Sequence, residues 1–184
     1  KATRARFAGC TVLVMPGLHG SGEDHWQSDW ERRHASFRRV EQADWAQPQL
    51  DDWARRLVDQ AIAAPAPIIV VAHSFGCLAT VRAANYQSGL IAAALLVAPA
   101  EPRRWQVEAE LAATALPFPS TLVASSNDPY MSRDSAVQWA ERWGSDLVTL
   151  PDAGHINVKA GFRQWSQGLD LLDALCRQAR RARN

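Results

Sequence analysis

The stretch Ile68-Ile69-Val70-Val71-Ala72-His73-Ser74-Phe75-Gly76-Cys77-Leu78 decides the fold. Ile68–Ala72 is continuously apolar and rich in β-branched residues, as a strand buried on both faces must be. Phe75–Gln87 then follows a helical pattern, with no proline and no run of turn residues at the join. A buried strand passing directly into a helix is the repeating unit of a parallel sheet covered on both sides. Working outward, Thr11–Met15 and Ala92–Ala98 are equally apolar. Strand-like runs begin near Cys10, Phe37, Pro67, Ile91, Ser120 and Asp146, at intervals of 24 to 30 residues. Each interval holds one strand, one helix and two short loops. Further helical patterns cover Gln49–Ala64, Ser132–Trp143 and Gln167–Arg180. The pattern predicts an α/β fold in a single domain over residues 1–184: a six-stranded parallel sheet, helices on both faces, right-handed crossovers.

The composition narrows the partners. Hydrophobic residues make up 47% of the chain, too many for a disordered one. The longest apolar stretches, Ala61–Ala72 and Leu90–Ala100, are too short to span a membrane. The net charge of +1 hides a split. Lys1, Arg4, Arg6, Arg177, Arg180, Arg181 and Arg183 sit at the two ends, where there is no acid. Between them the body is acidic. A nucleic-acid surface would need a basic stripe along one folded face, so no nucleic-acid partner is expected. Residues 1–7 and 177–184 are expected to be frayed, solubilising termini. Cys10, Cys77 and Cys176 match no zinc spacing and no even disulfide framework, which points to a reducing cytoplasm.

In a doubly wound sheet, ligands bind beyond the carboxyl ends of the strands, where the strand order reverses. Ser74 lies at such an end. A serine on a tight strand-to-helix turn presents its hydroxyl above the sheet, and small residues must flank it at Ala72 and Gly76. Serine is also a favoured helix N-cap, so the turn alone does not assign a role. A hydroxyl becomes a nucleophile only with a base, and the base needs an orienting acid. His155, in Gly154-His155-Ile156-Asn157 past the sixth strand, is the candidate base. His73 is adjacent to Ser74 but points the other way along the strand, as a supporting residue. His34 is placed on a solvent-facing helix end. Asp128, in Ser125-Ser126-Asn127-Asp128-Pro129-Tyr130 past the fifth strand, is the leading acid, with Asp134 and Asp152 as alternatives. The chain order Ser74, Asp128, His155 is that of α/β-hydrolases.

The loop after the first strand, Pro16-Gly17-Leu18-His19-Gly20-Ser21-Gly22, faces Ser74 if the first and third strands are neighbours. Its glycines allow close approach, so the backbone N–H groups of Leu18 and Phe75 are candidates for an oxyanion hole. The same glycines match neither the dinucleotide fingerprint nor a P-loop, which disfavours a nucleotide despite Glu41 after the second strand.

With these residues in hand, the chain resembles the small serine hydrolases related to retinoblastoma-binding protein nine. The likeness spans nearly the whole sequence. It rests on Pro16-Gly17, Gly20-Ser21, His25-Trp26, Asp44-Trp45, Pro48, Trp53 and Val71-Ala72-His73-Ser74. It continues through Ser125–Tyr130, Gly154–Asn157, Gly161 and Trp165. The resemblance implies a compact, lidless α/β-hydrolase with Ser74 as nucleophile, His155 as base and Asp128 as acid. It implies a small acyl substrate, such as a carboxylic ester, and neither cofactor nor metal. A retinoblastoma-protein-binding L-x-C-x-E segment is not carried over, because none of the three cysteines has that flank. A catalytically silent interaction module on the same fold is the alternative. Among the eight tryptophans, the pairs Trp26/Trp30 and Trp139/Trp143 have helix-face spacing. Trp26 and Trp165, with His19, are also candidates for a substrate pocket. Only about twenty residues separate strands four and five, so an open site is expected.

Overall fold

The computed structural model describes residues 6–112 and 115–184. Along the chain run β1 (Thr11–Met15), α1 (Trp26–Arg33), β2 (Phe37–Arg39), α2 (Leu50–Ala63), β3 (Ile68–His73) and α3 (Phe75–Tyr86). There follow β4 (Ile91–Val97), α4 (Glu108–Leu111), β5 (Ser120–Ser125), α5 (Arg133–Trp143), β6 (Asp146–Leu150) and α6 (Ser166–Ala182). The six strands are parallel neighbours in the order β2-β1-β3-β4-β5-β6. β2 is added on one side of β1 and β3–β6 on the other, so the crevice lies above the carboxyl ends of β1 and β3. That is the expected α/β architecture.

Alternation along the strands divides the core in two. Leu13, Met15, Val70, Ala72, Leu96 and Leu122 face α2, α3 and α5, where Trp53, Trp139 and Trp143 are packed. Val12, Val14, Ile69, Val71, Leu95 and Val123 face α1 and α6, against Trp26, Trp30, Leu169 and Leu172. Both faces of the central strands are buried, which accounts for their unbroken apolar sequence. The helices carry their own stops and starts. Ser132 Oγ accepts the Ser135 N–H (3.1 Å) to cap α5, and Gly144 closes its other end at a φ of 69°.

Where described, from Arg6 onward and through α6, the ends are more structured than their charge pattern predicts. α6 runs through Ala182, and its apolar stripe Leu169, Leu172, Leu175, Cys176 and Ala179 seats it on the sheet. Arg177 pairs with Asp173 one turn earlier (2.8 Å). Phe7 is fully buried, edge-on to His34 and Phe37 at ring separations of 5.1 Å. His34 is therefore an aromatic neighbour of the core rather than a solvent-facing residue. Lys1–Ala5 fall outside the described residues. Cys10, just before β1, is disulfide-bonded to Cys176 on α6 across a sequence separation of 166. Scattered spacing along the chain says nothing about proximity in space, and the premise for a reducing compartment falls with it. No described helix is long and apolar enough to cross a membrane.

Candidate active site

Ser74 alone joins β3 to α3, with φ 55° and ψ −123°. A non-glycine residue held there costs about 1–3 kcal/mol, so its surroundings must fix it. Its N–H donates to Val97 O (3.1 Å), and its carbonyl accepts from Cys77 N–H (3.0 Å). Gly76 is required for a reason other than crowding across the turn. A Cβ there would run into the Met15 carbonyl and lie 2.7 Å from Pro16 O. α3 therefore starts directly against the end of β1. A Cβ on Gly17 would lie 2.8 Å from Ser74 Cβ, so the glycine loop does face the elbow.

Three candidate side chains from three strand ends converge. His155 Nε2 lies 3.0 Å from Ser74 Oγ. His155 Nδ1 lies 3.1 and 3.0 Å from the two Asp128 carboxylate oxygens. A carboxylate only accepts, so Nδ1 carries the proton and Nε2 accepts the Ser74 hydroxyl. Asp128 also accepts the Tyr130 N–H (2.9 Å), which curls its loop beneath the imidazole. The Asp128 and His155 side chains are nearly buried. Tyr130 packs edge-on against His155 at 4.7 Å. Among the described residues, neither Asp134 nor Asp152 makes a hydrogen bond to His155.

A latch between two loops sets this geometry. Asn127 Oδ1 accepts the Gly154 N–H (2.7 Å), Ser125 Oγ the Ala153 N–H (2.9 Å) and Ser126 Oγ the Asp152 N–H (2.8 Å). Three consecutive side chains at the end of β5 thus hold the backbone after β6, immediately before Asp128 and His155. In sequence, Ser125-Ser126-Asn127 marks the loop of Asp128 and part of the resemblance, with no role of its own. Short polar residues at a strand end, beside the candidate acid, were the available signal.

Two more histidines lie beneath. His73 is buried, and its Nε2–H donates to His155 O (2.8 Å). Burial, followed by the neighbouring His25 and His155, holds its imidazole well below the usual histidine range. His25 caps α1, its Nδ1 accepting the Gln27 N–H (3.1 Å). Burial, then Arg39 and His155, push its pKa down to about 4. Both rings are neutral at pH 7. Cys77, behind the elbow, is fully buried, and burial pushes its thiol pKa up, consistent with its reading as a small core residue.

A cavity of about 400 Å³ opens over Ser74 and His155. Leu18, His19, Trp105, Tyr130 and Lys159 are among its walls. His19 lines this cavity, whereas Trp26 and Trp165 do not. Trp26 is fully buried, its Nε1–H donating to Ile156 O (2.8 Å), and its ring meets Trp165 edge-on at 5.1 Å. These two indoles support the floor from the α1/α6 side. The chain between β4 and β5, in place of a cap, supplies a wall that sequence reading missed. Its Trp105 packs against Phe75 at 4.8 Å. The N–H groups of Leu18 and Phe75 have no backbone acceptor among the described residues.

Residues 12–174 match the serine hydrolase family. A crystal structure of a putative YdeN-like hydrolase from Pectobacterium atrosepticum is 39% identical, with 92% of each chain covered and a TM-score of 0.89. The ydeN gene product of Bacillus subtilis is 19% identical over 90% of this chain and 97% of that one, at a TM-score of 0.72. Mouse alpha/beta hydrolase domain-containing protein 10 is 14% identical over 95% of this chain and 90% of that one, at a TM-score of 0.68. At the two lower identities the likeness is one of fold. No match is found among curated proteins. With its parallel sheet, its elbow and a match over most of its length, the chain belongs to the serine hydrolase family and has the α/β-hydrolase fold.

Proposed function

We propose that the chain hydrolyses a carboxylic ester or a related acyl bond through a Ser74–His155–Asp128 triad. The observation that carries this reading is the relay from Ser74 Oγ to His155 Nε2 (3.0 Å) and on from Nδ1 to Asp128 (3.0 Å). His155 takes the Ser74 proton as Oγ bonds to the acyl carbon, and Asp128 stabilises the imidazolium that forms. The N–H groups of Leu18 and Phe75 donate to the oxyanion, the latter at the N-terminal end of α3. His155 then returns its proton to the departing alcohol oxygen as the C–O bond breaks. A water, deprotonated in turn by His155, releases the acid and restores Ser74.

A fluorophosphonate probe, read by mass spectrometry, tests the assignment. One adduct is expected, on Ser74, and none on the Ser74→Ala variant. Folded protein that stays unlabelled would overturn the triad and favour a silent interaction module.

A further inference from the structure

We propose that the cavity selects acyl substrates bearing a carboxylate away from the scissile bond, received by Arg104 and Lys159. The inference rests on the hydrolase reading of the same cavity and names its substrate class. Both residues line the cavity over Ser74, and both are exposed. They arrive from different loops. Arg104 belongs to the wall between β4 and β5, and Lys159 to the short 3₁₀ turn Val158–Ala160, which follows His155.

Their charges are uncommitted. Among the described residues, neither Arg104 nor Lys159 has a carboxylate within salt-bridge distance, although Arg6, Arg33, Arg39, Arg82, Arg103 and Arg163 each have one. Arg104 is oriented without being neutralised, its Nη1–H donating to Pro129 O (3.4 Å).

The carboxylates nearest the cavity are occupied. Glu101 is the acidic residue on the cavity wall. Its oxygens accept from Ser135 Oγ–H (2.7 Å), Arg103 Nη1–H (2.9 Å) and Trp139 Nε1–H (3.0 Å). Those partners hold it toward α5. Asp128 lies under His155, its side chain 3% exposed. The cavity lining also includes the apolar side chains of Leu18, Trp105 and Val158, which an acyl chain can pack against. An otherwise acidic body thus carries a reaction cavity with two free cations. A guanidinium and an ammonium that meet a carboxylate in a partly enclosed cavity make charge-assisted hydrogen bonds, stronger than neutral ones.

The test compares the para-nitrophenyl ester of pentanoic acid with the para-nitrophenyl monoester of glutaric acid. Their acyl chains match in length and differ in ending on methyl or carboxylate. After subtraction of the buffer rate, the glutaryl ester is expected to have a kcat/KM higher by roughly tenfold or more. That ratio should fall toward one in the Arg104→Gln/Lys159→Gln variant and shrink as salt is raised. Equal rates, a preference for pentanoate, or a preference that survives the double substitution would overturn the proposal. Labelling of Ser74 by a neutral fluorophosphonate separates the two readings. Labelled protein without anion preference loses this inference alone. Protein that neither labels nor turns over either ester loses the hydrolase reading and this inference with it.

Discussion

His73 Nε2–H donates to the carbonyl oxygen of His155 across 2.8 Å, so the residue before the elbow serine holds the backbone of the loop that carries the imidazole. His73 touches no reacting atom in the proposed mechanism and acts through His155. Its replacement by alanine should lower kcat on an ester by about 10- to 100-fold, since small misplacements of a base are costly. KM should change little. His73→Gln, which keeps a donor, should recover part of the loss. A variant whose KM rises while kcat holds would show that His73 serves binding instead.

Asp128 meets Nδ1 of His155 with both oxygens, and Asp134 and Asp152 meet it with none. Asp128→Asn should therefore reduce kcat by about 10³–10⁴, because an amide no longer enforces the tautomer that leaves Nε2 free to accept. Asp134→Asn and Asp152→Asn should keep turnover close to the parent. Steady-state kinetics on one ester across the three variants decides the matter, and a large loss at Asp152 would reassign the acid.

Two buried neutral imidazoles make stability depend on pH. His25 titrates near 6.5 when unfolded and at about 4 when folded. Between those values the unfolded chain binds the extra proton, so stability is complete above pH 6.5 and declines as pH falls toward 4. For His25 alone the loss amounts to about 3 kcal/mol. His73, also lowered, adds in the same direction. Urea denaturation at pH 7.5 and 4.5, values chosen to bracket about 6.5 and to approach about 4, should show a smaller loss for His25→Asn, where asparagine can still cap α1. Parallel losses in parent and variant would remove His25 from the account.

The strands and the candidate triad were legible because each is a local signal with one physical meaning. Ile68–Ala72 has to be a doubly buried strand, and a serine between it and a helix has to project above the sheet. Asp128 was the leading acid from its place past the fifth strand, and in space both of its oxygens reach one imidazole. What escaped was set by contacts distant in sequence. Trp26 looked like a pocket wall because it follows the glycine loop, yet α1 turns it under the sheet toward Trp165. Trp105 and Arg104 gave no periodic signal, and their place above Ser74 depends on where the chain between β4 and β5 folds back. The terminal arginines read as frayed because charge was counted without the stripe from Leu169 to Ala179 that pins their helix.

The disulfide closes nearly the entire chain into one loop, with a separation of 166 residues between Cys10 and Cys176. Restricting an unfolded loop of that length is worth about 5 kcal/mol in chain-entropy terms. Dithiothreitol should lower the denaturation midpoint of the parent protein and leave that of Cys10→Ser/Cys176→Ser unmoved. Thiol titration of the folded parent should find no reactive cysteine, since Cys77 is buried, and one after unfolding without reductant. Three titratable thiols in that unfolded sample would contradict the bond.

Gly76 and Gly22 make opposite predictions from the same substitution. At Gly76 an added methyl meets the backbone carbonyls of Met15 and Pro16, which cannot swing aside as a side chain would. Relief requires α3 to back away from β1, and Ser74 moves with it. Gly76→Ala should therefore lose about 3 kcal/mol or more, or fail to fold. Gly22, in the exposed loop after β1, has nothing within 4 Å of the equivalent position. Gly22→Ala should leave the midpoint within about 0.5 kcal/mol of the parent. A Gly76→Ala protein as stable as Gly22→Ala would mean that α3 does not start against the end of β1. The close approach of the glycine loop to the elbow, where a Cβ on Gly17 would lie 2.8 Å from Ser74 Cβ, would then be lost.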